Sequence, residues 1–170
     1  LSIATAALVS PAIGAGARQR AKRLAVNCHL FAAAASTVAA VLLWLIVPWL
    51  LSRLGAGGRT HLLATDYLRI LVPALPPLAI SMTAGSVLRS VGDPRRNMHG
   101  TLTGAVVNIL LDPVLIFGLG LGLTGAAIAS VLARFAMMVY GLHAVIRVHG
   151  MIGRPRLRPF VSDAPVIARI

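Results

Sequence analysis

One carboxylate in this chain sits where a carboxylate is costly. Asp112 lies inside an apolar run from Leu102 to Leu119, in a sequence with four acidic residues and no glutamate. At the centre of a membrane helix such a group costs about 2.5–3.5 kcal/mol on insertion scales, so it should face protein, a wet cavity or a bound ion. Asn108 precedes it by four residues and shares its helix face. After the turn Gly118-Leu-Gly-Leu-Gly122, a second apolar run starts near Thr124 and carries Ser130. Asp112 lies six residues before Gly118 and Ser130 six after Thr124, each about 9 Å from the turn. In a helical hairpin the two meet at one depth. A carboxylate, an amide and a hydroxyl around one point can hold a hard cation through oxygen, or carry a proton on the carboxylate. Each residue also has a plainer reading. Asp112 can be satisfied locally, with its Asp-Pro step only shaping the helix. Asn108 can be packing glue, and Ser130 can bond its own i−4 carbonyl.

Arg134 follows Ser130 by four residues, on the same face and near the middle of its run. An intramembrane arginine faces the bundle or a cavity. It either interacts with the Asp112 site, as a competing cation, or snorkels or pairs elsewhere. Gly100 and Gly104 lie on the stripe leading to Asn108 and suit close helix contact. Pro73, Pro76, Pro77 and Pro113 are expected to bend helices, either as static kinks or as a hinge that exposes backbone carbonyls.

These residues need helices that cross a membrane, and the composition supplies them. The chain has 170 residues, 58% of them hydrophobic and 12% charged. Its mean hydropathy is +0.86. That is a membrane composition. Apolar stretches read as spans at 1–13 (truncated), 30–51, 67–88, 100–119 and 124–146, making residues 1–146 an all-α polytopic bundle. Trp44 and Trp49 suit an interface. Asp66 and Arg69 read as an interfacial pair, Asp93-Pro94 as a cap and helix start, and the histidines as mostly interfacial. Residues 147–170 read as a basic cytoplasmic linker leading to the next helix.

The net charge of +12 raises nucleic acid as a partner. The basic residues, however, are clumped between apolar runs without interleaved aromatics, so no nucleic acid is expected. Most of the Lys and Arg fall in three segments, 14–23, 89–97 and the stretch after 146. These alternate with poorly charged connections, and the positive-inside rule places all three in the cytoplasm. Membrane lipid is the surrounding partner, in a multi-pass arrangement in a cell membrane. Cys28 is the single cysteine, which excludes an internal disulfide and a cysteine-based metal site. There is no His/Cys cluster, no nucleophile–base pair and no nucleotide loop, so neither an enzyme nor a cofactor is expected. The chain opens on Leu1 in an apolar run already under way, which reads as a fragment.

Three stretches together resemble a known family. Leu88-Arg-Ser-Val-Gly-Asp-Pro-Arg-Arg-Asn-Met98, Asn108-Ile-Leu-Leu-Asp-Pro-Val-Leu-Ile-Phe-Gly118 and Gly122-Leu-Thr-Gly-Ala-Ala-Ile-Ala-Ser130 are similar to the multidrug and toxic compound extrusion transporters, more narrowly their DinF-like prokaryotic branch. Ala12-Ile-Gly-Ala-Gly-Ala-Arg18 and Tyr67-Leu-Arg-Ile70 resemble that family's second and fourth helices. The resemblance implies helices two to six of an N-terminal six-helix lobe in a bacterial protein. It implies export of drugs or other small organic cations by antiport against H+ or Na+. Asn108 and Asp112 match the family's helix-five pair, and Ser130 falls on its helix-six threonine position. Helix one, with its aspartate, and the C-terminal lobe would be supplied by the rest of the protein. Apart from Na+ at Asp112, Asn108 and Ser130, no metal is implied. A flippase for lipid-linked saccharides, of similar helical architecture, is the alternative; it would need a large cationic groove and not the Asn-x-x-x-Asp pair.

Overall fold

A computed structural model describes residues 2–55 and 57–151, all helical or turn, with no strand among them. The helices are α1 (Ser2–Gly14), α2 (Arg18–Arg53), α3 (Gly58–Leu71), α4 (Leu75–Ser90), α5 (Pro94–Pro113) and α6 (Gly122–His143). Four continuous helical stretches, 18–53, 58–90, 94–118 and 122–148, are long and apolar enough to cross a membrane, while α1 is shorter. Large apolar side chains point outward along them, among them Val41, Leu42 and Leu45 of α2 and Val106, Ile109 and Leu110 of α5. In water such a surface would be costly; in lipid it is the expected exterior. This is a multi-pass membrane protein.

The helices outrun the apolar stretches. Of the basic segment 14–23, expected to lie between spans, residues 18–23 form the first turns of α2. Long-chain residues such as Arg, Gln and Lys favour helix, so nothing there stops it. The chain instead turns at Gly16, whose φ of 70° follows a closing bond from the Ala17 N–H to the Ala12 carbonyl at 2.9 Å. Helix α2 therefore has 36 residues. That is about 54 Å of helix against a ~30 Å hydrocarbon layer, so one end stands clear of it.

The three prolines between α3 and α4 sit where the helix changes type. A 3-10 turn, Val72–Ala74, contains Pro73, and Pro76 and Pro77 fall in the first turn of α4. Missing N–H groups cost least there, because first-turn donors have no intrahelical acceptor. Asp93 caps α5, its Oδ1 accepting the Arg96 N–H at 3.1 Å, as the Asp-Pro step suggests. Helices α5 and α6 end alike. Each passes into a π turn, Val114–Gly118 and Ala144–Val148, followed by a left-handed glycine, Gly120 (φ 65°) and Gly150 (φ 56°).

The main core joins α1, α2 and α4 through Val9, Ala12, Ala21, Leu24, Ala25, Ala84, Val87 and Leu88, with Val145 and Met151 from beyond α6. Next to it the three basic segments meet at one end of the bundle. Ser10 Oγ donates to Ser90 Oγ at 3.0 Å, and Arg18 Nη2 donates to the His149 carbonyl at 3.2 Å. Asp93 Oδ2 takes both Arg96 Nε at 2.8 Å and the His149 Nε2–H at 2.9 Å. Burial pushes the Asp93 carboxyl up, but the Arg96 N–H, the His149 ring and the charges of both outweigh it and hold the group below its ordinary value. The proposed linker from 147 onward is described only through Met151; its remainder lies outside the described residues.

Two expectations are corrected. Arg69 makes no ion pair with Asp66; its guanidinium stacks over the Trp44 ring, 5.2 Å from the centroid. An aromatic face one helix away satisfies the cation at less side-chain cost than a solvated carboxylate. His29 is not interfacial but buried, its Nδ1–H donating to the Ala25 carbonyl at 2.8 Å and its Nε2 left without a partner.

Candidate functional site

Helices α5 and α6 form an antiparallel hairpin whose register is set by glycines. A side chain at Gly100 would meet the Tyr140 ring, one at Gly104 the Met137 thioether, and one at Gly125 the Leu115 carbonyl at 2.7 Å. Bare backbone at these points lets the two helices approach closely. The close contacts of Gly100 and Gly104 are those their stripe suggests. The same register places Asp112 opposite Ile128, and Ser130 two residues further toward the basic end, an offset in depth of about 3 Å. Asn108 lies opposite Leu132, and Arg134 is again about 3 Å deeper.

Facing follows from helical periodicity. Asn97, Thr101, Asn108 and Asp112 fall within about 60° of one another around α5, and Ser130, Arg134, Met137 and Gly141 within about 60° around α6. At the basic half these stripes line one crevice with α4. Asn97, Thr101, Met137 and Gly141 join Ser81 and Gly85 around a cavity of about 20 Å³, room for roughly one water. Asn97 occupies the space that a side chain at Gly85 would need. Further along, the stripes carry Asn108, Asp112, Ser130 and Arg134. Asn97 and Thr101 were not singled out in the sequence. Their spacing of eleven residues from Asn108 and Asp112 is the signal that marks them, since eleven residues is three helical turns.

Hydrogen bonding separates these four side chains from the other polar groups of the bundle. Many hydroxyls elsewhere close back onto their own helix. Ser36, Thr65, Thr83 and Ser90 each donate to the carbonyl four residues earlier. Ser130 makes no such bond among the described residues. Asn108 Oδ1 is buried and has no partner. Asp112 and Arg134 are half-buried and make no ion pair or hydrogen bond among the described residues. A buried acceptor left open costs about 1–3 kcal/mol, and Asn108, Asp112 and Ser130 leave oxygens with free valence within about 6 Å of depth. Oxygen donors of this kind are the type that hard cations take as ligands. No group of three His, Cys, Asp or Glu residues that could hold a metal ion occurs among the described residues.

The prolines assigned to helix bending take three settings. Pro73 sits in the 3-10 turn, Pro76 and Pro77 open α4, and Pro113 ends α5 one residue after Asp112, where the π turn begins. Pro113 removes an N–H that would otherwise bond the Ile109 carbonyl.

Comparison with known proteins places this architecture. The MatE family profile matches residues 1–114. The multidrug export protein MepA of Staphylococcus aureus is 33% identical over 87 residues, covering 51% of this chain and 19% of MepA. The protein DETOXIFICATION 44, chloroplastic, of Arabidopsis thaliana is 35% identical over 72 residues, covering 42% of this chain and 14% of that protein. A crystal structure of MATE in the bent conformation superposes with a TM-score of 0.86 at 24% identity, covering 96% of this chain and 38% of that one. The chain thus spans well under half the length of the relatives it matches. The all-helical bundle, the shared fold and the profile match agree: the chain belongs to the MatE family of membrane transporters and forms part of one of their helical lobes.

Proposed function

We propose that this chain is part of a cation-coupled antiporter that exports drugs or other small organic cations, with Asp112, Asn108 and Ser130 as its coupling site. The observation that carries the reading is the buried, unpartnered Asn108 Oδ1 beside an unpaired Asp112. The name of the relative MepA, a multidrug export protein, supports the direction of transport. Helix one and the second lobe of the full-length protein complete the cavity. The basic end faces the cytoplasm of a bacterial cell and the Gly57 and Gly120 turns face outward, in accord with the positive-inside rule.

The coupling ion is H+ or Na+. A proton on Asp112 removes the only carboxylate charge on this face. A sodium ion instead leaves Asp112 ionised and takes oxygens from Asp112, Asn108 and Ser130. Either event changes the field at the cavity face, and the cationic substrate competes for the same negative charge. Bending at Pro113 and at the Pro73, Pro76 and Pro77 turn converts ion occupancy into a change of access.

The test is Asp112→Asn in the full-length transporter reconstituted in liposomes, with gradient-driven export and equilibrium substrate binding measured separately. Export is expected to fall at least a hundredfold while insertion and folding persist. Wild-type export in that variant removes Asp112 from coupling.

A further inference from the structure

Among the described residues, Arg134 is the one strongly basic side chain at the centre of a span. It lies twelve residues from the Gly122 end of its helical stretch and fourteen from the Val148 end. With about 15 Å of hydrocarbon on either side, a side chain of ~7 Å cannot carry its charge to an interface. It must be stabilised where it is. Yet it makes no ion pair, hydrogen bond or ring stacking among the described residues, unlike Arg18, Arg53, Arg69, Arg89 and Arg96, each of which has a partner.

The carboxylates within the described residues do not answer for it. Gly141 packs on Ala84 of the parallel α4, where an added Cβ would lie 3.1 Å from Ala84 Cβ. That contact places Arg134 level with Pro77. Asp66 then lies about 16 Å toward the neutral end, and Asp93 about 24 Å toward the basic end, on the other side of the crevice. Asp112 is six residues from the level of Arg134, about 9 Å along the axis. Arg134 faces the same side of the hairpin as Asp112 and Asn108, continuing the stripe of Met137 and Gly141 that lines the α4 crevice.

The geometry points to an anion-binding subsite at Arg134, which takes the carboxylate or sulfonate of an amphipathic transported molecule. This rests on the reading that the α5–α6 face lines the transport cavity, and it deepens that reading: the cargo carries an acidic group as well as any basic one. A guanidinium in a low-dielectric setting binds a planar carboxylate through two parallel hydrogen bonds. The subsite also fixes a sign. While Asp112 is ionised, its charge opposes the field of Arg134. When H+ or Na+ neutralises Asp112, Arg134 is unopposed and holds the acid group more tightly, while a basic group on the same cargo loses its partner; antiport requires that loss to be the larger of the two. A cargo whose amine and acid are about 9 Å apart reaches both residues.

The probes are dansyl-aminoundecanoic acid and its methyl ester, which share the tail and fluorophore and differ in the charge. Binding to the purified full-length transporter in nanodiscs is read by fluorescence at neutral pH, with empty nanodiscs subtracted. The wild type should bind the acid roughly tenfold more tightly than the ester, as expected for hydrogen bonds to a charged group. Arg134→Gln should abolish that preference while leaving ester affinity unchanged, and Arg134→Lys should keep part of it. Asp112→Asn should tighten acid binding even as it abolishes gradient-driven export. Equal affinities of the wild type for acid and ester overturn the subsite, and this arm needs no variant to fold. An undiminished preference in Arg134→Gln overturns it as well. Retained export in Asp112→Asn, with acid preference still lost in Arg134→Gln, removes the coupling proposal and leaves the subsite standing.

Discussion

The basic end of the bundle and the polar face of the α5–α6 hairpin are built from similar side chains and treated oppositely. At the basic end, Asp93 is capped, bridged by Arg96 and met by His149, above a core in which Val9, Ala25 and Val87 are fully buried. Along the hairpin, Asp112, Asn108, Ser130 and Arg134 are spread over about 9 Å of depth and answer none of each other's hydrogen-bonding capacity. One aspartate holds segments together, and the other has no partner among the described residues. The difference is one of second partners. Where three connections converge, Ser10, Arg18 and Asp93 each find a neighbour from another segment. On a face formed by two helices, opposing positions are mostly small or apolar, such as Leu132 and Ile128, and polar groups stay open.

Four substitutions break or sharpen that contrast, beyond the loss of export expected from Asp112→Asn. The largest effect on stability belongs to Gly125→Val. Its side chain would strike the Leu115 backbone, which cannot yield as a flexible side chain would. A loss of about 2–3 kcal/mol is expected, from overpacking, measured as a lowered thermal midpoint in detergent. An unchanged midpoint would mean that the hairpin is not packed as described. Next is Asn108→Leu. Filling the position with an apolar side chain removes an open buried acceptor, so stability should hold or rise by about 1 kcal/mol while ion-dependent transport falls at least tenfold. A fall in both would assign Asn108 to packing.

Asp93→Asn acts at the other end and should lower the thermal midpoint without changing ion dependence. Because the folded Asp93 sits below its ordinary value, its contribution is fully present above the unfolded pKa of about 3.9 and is lost as pH falls through the lower folded value. The midpoints of variant and wild type should therefore differ at neutral pH and converge in acid. Convergence on raising the pH instead would refute the assignment. The smallest effect is expected from Ser130→Ala: a severalfold weaker dependence on the coupling ion, restored by Ser130→Thr, with the midpoint unmoved. Thr83→Ala, whose hydroxyl is bonded to its own helix, is the control and should leave ion dependence alone.

Much of this contrast can be read from the residues in order, and the part that cannot has a physical cause. Asn108, Asp112 and Ser130 stand out because polar groups are rare in apolar runs, and their spacing is set by helical rise. The Asp93 cap follows from Asp-Pro. Gly100 and Gly104 announce close contact by falling on one stripe. The start of α2 is not legible in this way, because charge marks a residue as outside the lipid but not as outside the helix. The Asp93–His149 link joins residues 56 positions apart, and no local pattern carries such a pairing. Residue type alone suggests an interface for His29, whereas its burial depends on how other helices pack around α2. The stacking of Arg69 on Trp44 was hidden for the same reason, since the nearer carboxylate in sequence is not the nearer partner in space.

The hairpin register has a consequence for how the protein is made. Every member of the unsatisfied set, from Asn108 to Arg134, lies on two consecutive helices joined by a short turn. A contact between neighbours in sequence costs little chain entropy and forms early. Asn108, Asp112 and Arg134 would each be expensive to pass into lipid on a lone helix. Inserted as a pair, α5 and α6 turn those groups toward a common face and leave Val106, Ile109 and Leu110 to the acyl chains. The glycines that bring the two backbones together thus bear on biogenesis as well as packing. Close backbone approach is what would let the polar groups within these two spans enter the membrane as one unit.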